Sequence, residues 1–249
     1  MVAVFFAFGL AGCATPGRTT SADPWQGMNR SVFRFNEAID RAAFKPVAKG
    51  YKAVTPEWLR GAIGRVLANL EYPITMVNQL LQGKPVRFLQ DTGRFVANST
   101  LGIGGIFDVA DKLGLPAHDE DFGQTLAVWG VPAGPYVNLP FLGPSSVRDA
   151  PSRFVDYFSG PLRYAKVPDA IDYGTTVLDI VDTRAALLAT DATLDSAFDK
   201  YGLMRDAWVQ RREYLIFDGN PPVEEFEEFE DDEDADTPAA DSDAVADPP

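Results

Sequence analysis

The sequence predicts a mainly α protein: a single ring- or disc-like domain of short amphipathic helices, with a disordered acidic C-terminal tail. Three observations carry this reading. Between Asp23 and Asp218, apolar residues recur at spacings of three and four, while few runs alternate as strands do. Prolines and glycines punctuate those stripes, so the helices are short. The chain therefore bends repeatedly, as around a ring, where an up-and-down bundle would use longer helices. Acid is also segregated. Residues 220–249 hold 13 of the 36 Asp and Glu and none of the 22 Lys and Arg, which leaves the rest of the chain near neutral.

The N-terminal element is an apolar run, Val2 to Leu10, closed by Leu10-Ala11-Gly12-Cys13. A short apolar segment ending in small residues reads as a secretory signal. The cysteine sharpens that reading, because the tetrad resembles the bacterial lipobox. There a signal peptidase cuts before the cysteine, and its thiol carries a diacylglycerol. Residues 1–12 are thus expected to be a lipoprotein signal peptide, Cys13 the lipid anchor, and residues 13–22 a polar tether. No Lys or Arg precedes the apolar run, a departure that a start upstream of Met1 would account for. Cys13 is the only cysteine, so no internal disulfide is available. Outside the signal, no stretch of about 18 apolar residues suggests a spanning helix.

The helical domain is expected over residues 23–219. Met28, Val32, Phe35, Ile39 and Ala42 form the first stripe. Thr55 is a candidate N-cap, with Pro56 at the first helical position and Glu57 in the first turn. Leu59, Ile63, Val66, Leu67 and Leu70 then face one way. Pro73 is expected to open a further helix that ends at Gly83, and Pro85 another carrying Phe88, Leu89, Phe95 and Val96. Tyr136 to Pro140 is the best extended segment, and its proline argues for an edge or a loop. Ser146-Val147-Arg148-Asp149 resembles a capping box, which makes Arg148 and Asp149 structural. Two late helices run from about Pro168 to Ala189 and from about Asp199 to Phe217, the second closed by Gly219. Residues 220–249 are the tail; Phe226 and Phe229 lie within it as a solvated extension or a short motif for a basic partner.

Catalytic candidates are few. The sole histidine, His118, sits among Asp119, Glu120 and Asp121. It reads either as a base or metal ligand, or as part of a polar loop before a helix whose N-terminus favours acids. Its spacing lacks the pattern of a metal site, and the polar loop is the favoured reading. No Gly-x-Ser-x-Gly elbow surrounds Ser145-Ser146. No basic stripe suggests nucleic acid. Gly102-Ile103-Gly104-Gly105 departs from the dinucleotide-binding pattern. Gly102, Gly104 and Gly105 form either a flexible apolar hinge or a plain interhelical turn. Trp25, Trp58, Trp129 and Trp208 are interfacial anchors or core.

Short blocks in a fixed order then resemble a known family. Asp23-Pro24-Trp25-Gln26-Gly27-Met28-Asn29-Arg30, Leu70-Glu71-Tyr72-Pro73, Arg94-Phe95, Asn98-Ser99-Thr100 and Leu101 to Gly105 resemble the MlaA/VacJ outer-membrane lipoproteins. Phe122-Gly123-Gln124-Thr125-Leu126, Arg148-Asp149, Thr183-Arg184-Ala185 and the stretch Arg205 to Arg212 extend the match to about Asp218. The resemblance implies a helical ring with an amphipathic channel, in the inner, periplasmic leaflet of the outer membrane. It implies that misplaced phospholipids are taken from the outer leaflet and passed to a periplasmic lipid-carrier protein, which maintains lipid asymmetry. It implies association with an outer-membrane porin trimer, no cofactor, no metal and no catalytic residues. Ala14 after the anchor, in place of a retaining aspartate, agrees with the outer membrane. The Gly102–Gly105 segment is then a candidate channel hinge, and the loop to Asp121 its flap. Two other classes compete: a lipoprotein hydrolase, which needs an activated nucleophile, and a porin-bound structural adaptor without a lipid path.

Overall fold

The computed structural model describes residues 23–165 and 167–222; the segments expected to be signal peptide, lipid anchor at Cys13 and tether, and residues 223–249 of the expected tail, lie outside them. The described chain is mainly helical. α1 (Gln26–Ile39) passes into a π-helical turn, Asp40–Phe44, and on into α2 (Lys45–Val54). The turn has a local cause. Pro46 has no N–H to give, and the Lys45 N–H reaches five residues back to the Asp40 carbonyl. Widening by one residue carries the helix past the missing donor.

Thr55 does not cap the next helix. It ends α2, its N–H bonded to the Tyr51 carbonyl, and α3 (Glu57–Leu81) begins after Pro56. Nor does Pro73 open a new helix: α3 runs through it for 25 residues. An interior proline costs a helix about 3 kcal/mol. The cost is met because polar side chains on both sides of Pro73 bind neighbouring elements, so neither half can leave. Asn69 donates to the Ser99 hydroxyl at 2.9 Å, Tyr72 accepts from Arg94 at 2.8 Å, Asn78 accepts from Thr125 at 2.7 Å and Gln79 donates to Asp91 at 3.2 Å. Gly83 closes α3 at φ +73°, with the Lys84 N–H returned to the Gln79 carbonyl as in a Schellman end.

α4 (Pro85–Thr100) starts where its proline predicts and packs along α3. Short α5 (Val109–Lys112) and α6 (Phe122–Val128) follow, capped by the side chains of Asp108 and Asp121. Tyr136–Leu139 is β1, paired antiparallel with β2 (Gly143–Ser146). The Ser146 hydroxyl accepts the Asp149 N–H at 3.1 Å, so the expected capping contact starts α7 (Asp149–Ser159). α8 (Pro161–Tyr164), α9 (Asp169–Leu187), α10 (Asp191–Ser196) and α11 (Lys200–Ile216) complete the order. Both late helices fall where their punctuation predicts, and Asp199 caps α11 through the Gly202 N–H.

Burial is inverted relative to an ordinary soluble domain. The largest side chains with under 2% exposure are Gln79, Gln124, Asn29, Thr125, Asp91, Ser145 and Ser146. Large apolar residues lie outside instead, among them Trp58 at 72% and Val54 at 81% exposed, with Phe107, Phe141 and Phe158. The polar interior is knitted by charge. Arg212 makes paired hydrogen bonds to Asp149 at 3.0 and 3.1 Å and further ones to Asp121 at 2.5 and 2.8 Å. Arg148 also holds Asp149. Gly123 passes so close to this group that a Cβ there would collide with Arg212 and Asp149.

Candidate functional site

One face of α3 presents Leu67, Leu70 and Ile74, with Glu71 set among them one turn after Leu67. Across from it stand Phe154, Tyr157 and Phe158 of α7, Leu162 of α8 and the middle of α9. Together they enclose an open cavity of about 850 Å³, with Leu142 of the hairpin turn at its edge. The short helices α7 and α8 make this possible. Gly160 and Pro161 break the chain between them, and α8 turns back onto α3. This is the ring-like arrangement that the Pro and Gly punctuation predicts.

The wall is apolar, but six charged side chains line it. Arg153 donates to the Leu142 carbonyl at 2.9 Å and to the Pro144 carbonyl at 2.7 Å. Burial, and the nearby Arg212 cation, pull its pKa down. Arg163 lies 3.6 Å from the centre of the Tyr157 ring and 3.5 Å from Asp172. Asp156 accepts the Phe122 N–H at 3.1 and 3.2 Å, yet burial and neighbouring Asp121 still push its carboxyl up to about 6. Glu71 lines the cavity and is an exposed residue, with protein packed around its carboxyl. That enclosure, with Asp179 and Asp119 nearby, pushes it up to about 7. Burial, then Asp182, raises Asp179 as well. The site can therefore accept apolar chains along its wall and polar or ionic groups at fixed points, with carboxyls that change charge near neutral pH.

None of the glycines singled out by sequence lines this cavity. Gly102 is clamped: a Cβ there would run into the Phe107 and Asn98 carbonyls. Gly105, at φ +100°, sits against Asn69 and Arg65 of α3. Gly104, at φ +71°, has open space around it. Their N–H groups are spent on the end of α4, Gly104 on Ser99 and Gly105 on Asn98. His118 approaches Asp91 at 2.8 Å beside α4, and borders a separate polar pocket of about 300 Å³ with Arg87, Glu120 and Asp218. Ser145 and Ser146 are fully buried in the hairpin. Among the described residues no group of three or more His, Cys, Asp or Glu is placed to hold a metal.

The sequence reading missed Arg153, Asp156 and Asp179, and it met Glu71 only as part of a motif. One signal was available. Glu71 interrupts an apolar face at positions where Leu67, Leu70 and Ile74 set the period, and a charge in such a stripe marks a wet concavity.

Residues 21–215 match the family model described as MlaA lipoprotein. The chain belongs to the MlaA lipoprotein family. Among its relatives, the intermembrane phospholipid transport system lipoprotein MlaA of Escherichia coli is 35% identical over 216 residues, 84% of this chain and 85% of that protein. The MlaA of Haemophilus influenzae is 31% identical over 229 residues, 88% of this chain and 90% of that one. An uncharacterized protein of Rickettsia felis is 37% identical over 196 residues, 78% of each chain. A solved chain reported under "Structural basis for maintenance of bacterial outer membrane lipid asymmetry" superposes with a TM-score of 0.70 at 35% identity, covering 78% of this chain and 99% of that chain. Several polar residues of the MlaA motif blocks belong to this chain's interior. Asn29, Arg94, Asn98, Gln124, Arg148, Asp149 and Arg212 are all buried. They bind neighbouring elements to one another, as Arg94 does with Tyr72 and Arg212 with Asp121 and Asp149.

Proposed function

We propose that this chain is a lipid-anchored outer-membrane protein that removes mislocalised phospholipids from the outer leaflet and passes them to a periplasmic carrier. The observation that carries the reading is the inverted burial around an open cavity. Burying apolar area stabilises by about 25 cal/mol per Å², and this body leaves much of that stabilisation unclaimed against water. A hydrocarbon surround supplies it. Among the described residues no helix is long and apolar enough to cross a bilayer. The amphipathic helices therefore lie in one leaflet, as interfacial helices do. Cys13 orients and retains the body in the inner leaflet.

A phospholipid headgroup resists hydrocarbon, because moving an isolated charge there costs at least several kcal/mol. The cavity lowers that cost with apolar walls for acyl chains and charged points for the headgroup. Transfer of this kind breaks no covalent bond, so the protein needs no enzymatic activity. The Gly102, Gly104 and Gly105 segment, which packs against α3 outside the cavity lining, is the hinge, with Gly104 its freest position, and the loop to Asp121 its flap. A porin trimer positions the ring. The relatives named as intermembrane phospholipid transport lipoproteins support this reading.

Photo-crosslinking tests it. Photoreactive side chains at Leu70, Ile74 and Phe158 in the full-length lipidated protein are expected to capture phospholipid in membranes. Capture at none of them overturns the lipid path and leaves the structural adaptor. A hydrolase would instead lose activity in His118→Ala, whereas transport is expected to survive that change.

A further inference from the structure

We infer that the cavity selects phospholipids whose headgroup carries a primary ammonium: Arg153 binds the phosphate, while Glu71 and Asp179 receive the ammonium. The inference rests on the lipid-path reading above and adds a specificity to it.

Of the two cations that line the cavity, Arg163 is paired with Asp172, whereas Arg153 has no carboxylate partner among the described residues. Its only hydrogen bonds among the described residues go to the Leu142 and Pro144 carbonyls. No carboxylate of the described residues lies within 4.0 Å of it. A guanidinium offers five N–H donors in a planar fork suited to phosphate. The two carbonyls fix the fork against the hairpin turn and leave donors to spare. Leu142 itself lines the cavity, so the fixed guanidinium stands beside the apolar wall.

The other charges divide into committed and uncommitted. Arg163 is stacked on Tyr157 and paired with Asp172. Asp156 is spent on the Phe122 N–H. Glu71 on α3 and Asp179 on α9 have no hydrogen bond or ion pair among the described residues, and Asp179 raises the cost of ionising Glu71. Enclosed carboxyls of this kind gain most from a partner that brings positive charge and N–H donors together. A headgroup with phosphate and ammonium satisfies both sets. A headgroup with phosphate alone satisfies Arg153 and is opposed by the two carboxylates.

The test uses the full-length lipidated protein in vesicles holding equal amounts of phosphatidylethanolamine and phosphatidylglycerol, each with a photoreactive acyl chain. Adducts mapped to the cavity are counted by mass spectrometry. The wild type is expected to favour phosphatidylethanolamine about tenfold, the scale of one charge-assisted contact. The E71Q/D179N protein is expected to bring the ratio to about one while total capture persists. R153Q is expected to lower capture of both lipids, with R153K restoring part of it. Should R153Q fail to fold, the Glu71 and Asp179 arm still decides, since neither side chain supports a neighbour. A wild-type ratio near one, or a ratio unchanged in E71Q/D179N, overturns the headgroup selection while cavity capture upholds the path. No cavity adduct with either lipid overturns the path itself.

Discussion

The Asn29 side chain accepts the backbone N–H of Asn138 at 2.8 Å and, through its amide nitrogen, donates to the Tyr136 carbonyl at 3.0 Å. Asn36, two helical turns on, repeats the arrangement with the Leu139 carbonyl and the Phe141 N–H. α1 therefore serves the free edge of β1 as a third strand would. A two-stranded hairpin is marginal alone, and its edge groups are costly if left without partners. Asn29→Ala strands two buried backbone groups at about 1–3 kcal/mol each, so it is expected to destabilise by about 2–5 kcal/mol. Asn36→Ala, on the more exposed side, is expected to cost less. Chemical denaturation in detergent checks the order; equal losses would mean that the helix does not cover the edge in this way.

Arg212 joins α11 to Asp121 at the start of α6 and Asp149 at the start of α7. Burial works to raise both carboxyls, but the guanidiniums of Arg212 and Arg148 outweigh it and hold them below the usual range. Groups lowered in this way stabilise the fold above about pH 4 and release that stabilisation as pH falls through their lowered values. Arg212→Ala leaves two buried acids without that partner and is expected to cost about 3–5 kcal/mol at pH 7. The loss should shrink in acid. A deficit that stays constant from pH 7 down to pH 3 would place the effect in packing and not in charge.

Element positions were legible where backbone chemistry writes them. Pro85, Asp199, Gly83 and the Ser146 to Asp149 capping contact all mark ends that the fold uses. Pro73 misled because its meaning depends on distant partners: nothing local to Pro73 tells that Arg94, Thr125 and Asp91 grip the helix on both sides. The family motifs were legible as blocks, yet their polar residues serve the interior. The cavity was the least legible part. Arg153, Glu71 and Asp179 come from three helices, and only tertiary closure through Gly160 and Pro161 brings them around one cavity.

The glycines offer a test that separates packing from hinge motion. Gly104→Ala meets no atom and pays only for a left-handed backbone, about 1–2 kcal/mol. Gly105→Ala pays that and also drives a Cβ to 2.8 Å from Asn69 Cβ, so it is expected to cost more. Melting curves should order the two accordingly. If Gly104 is the pivot, Gly104→Ala slows lipid delivery to the carrier although the fold is retained. Unchanged delivery would reduce the segment to a turn that ends α4.

Glu71 sets an opposite pH signature from Arg212's partners. Its folded value of about 7 lies above the ordinary value of 4.5. Between those values the folded state holds a proton that the unfolded chain has lost, so stability is full below about pH 4.5 and declines as pH rises to about 7. Beyond that the ionised carboxylate stands in its enclosure, opposed by Asp179 and Asp119. Glu71→Gln keeps the shape and removes the charge. It is expected to match the wild type at pH 4.5 and to melt higher at pH 8. A lower melting temperature for Glu71→Gln at pH 8 would mean that the carboxylate is held by a favourable partner. The same result would remove the reason for an arriving ammonium to seek it.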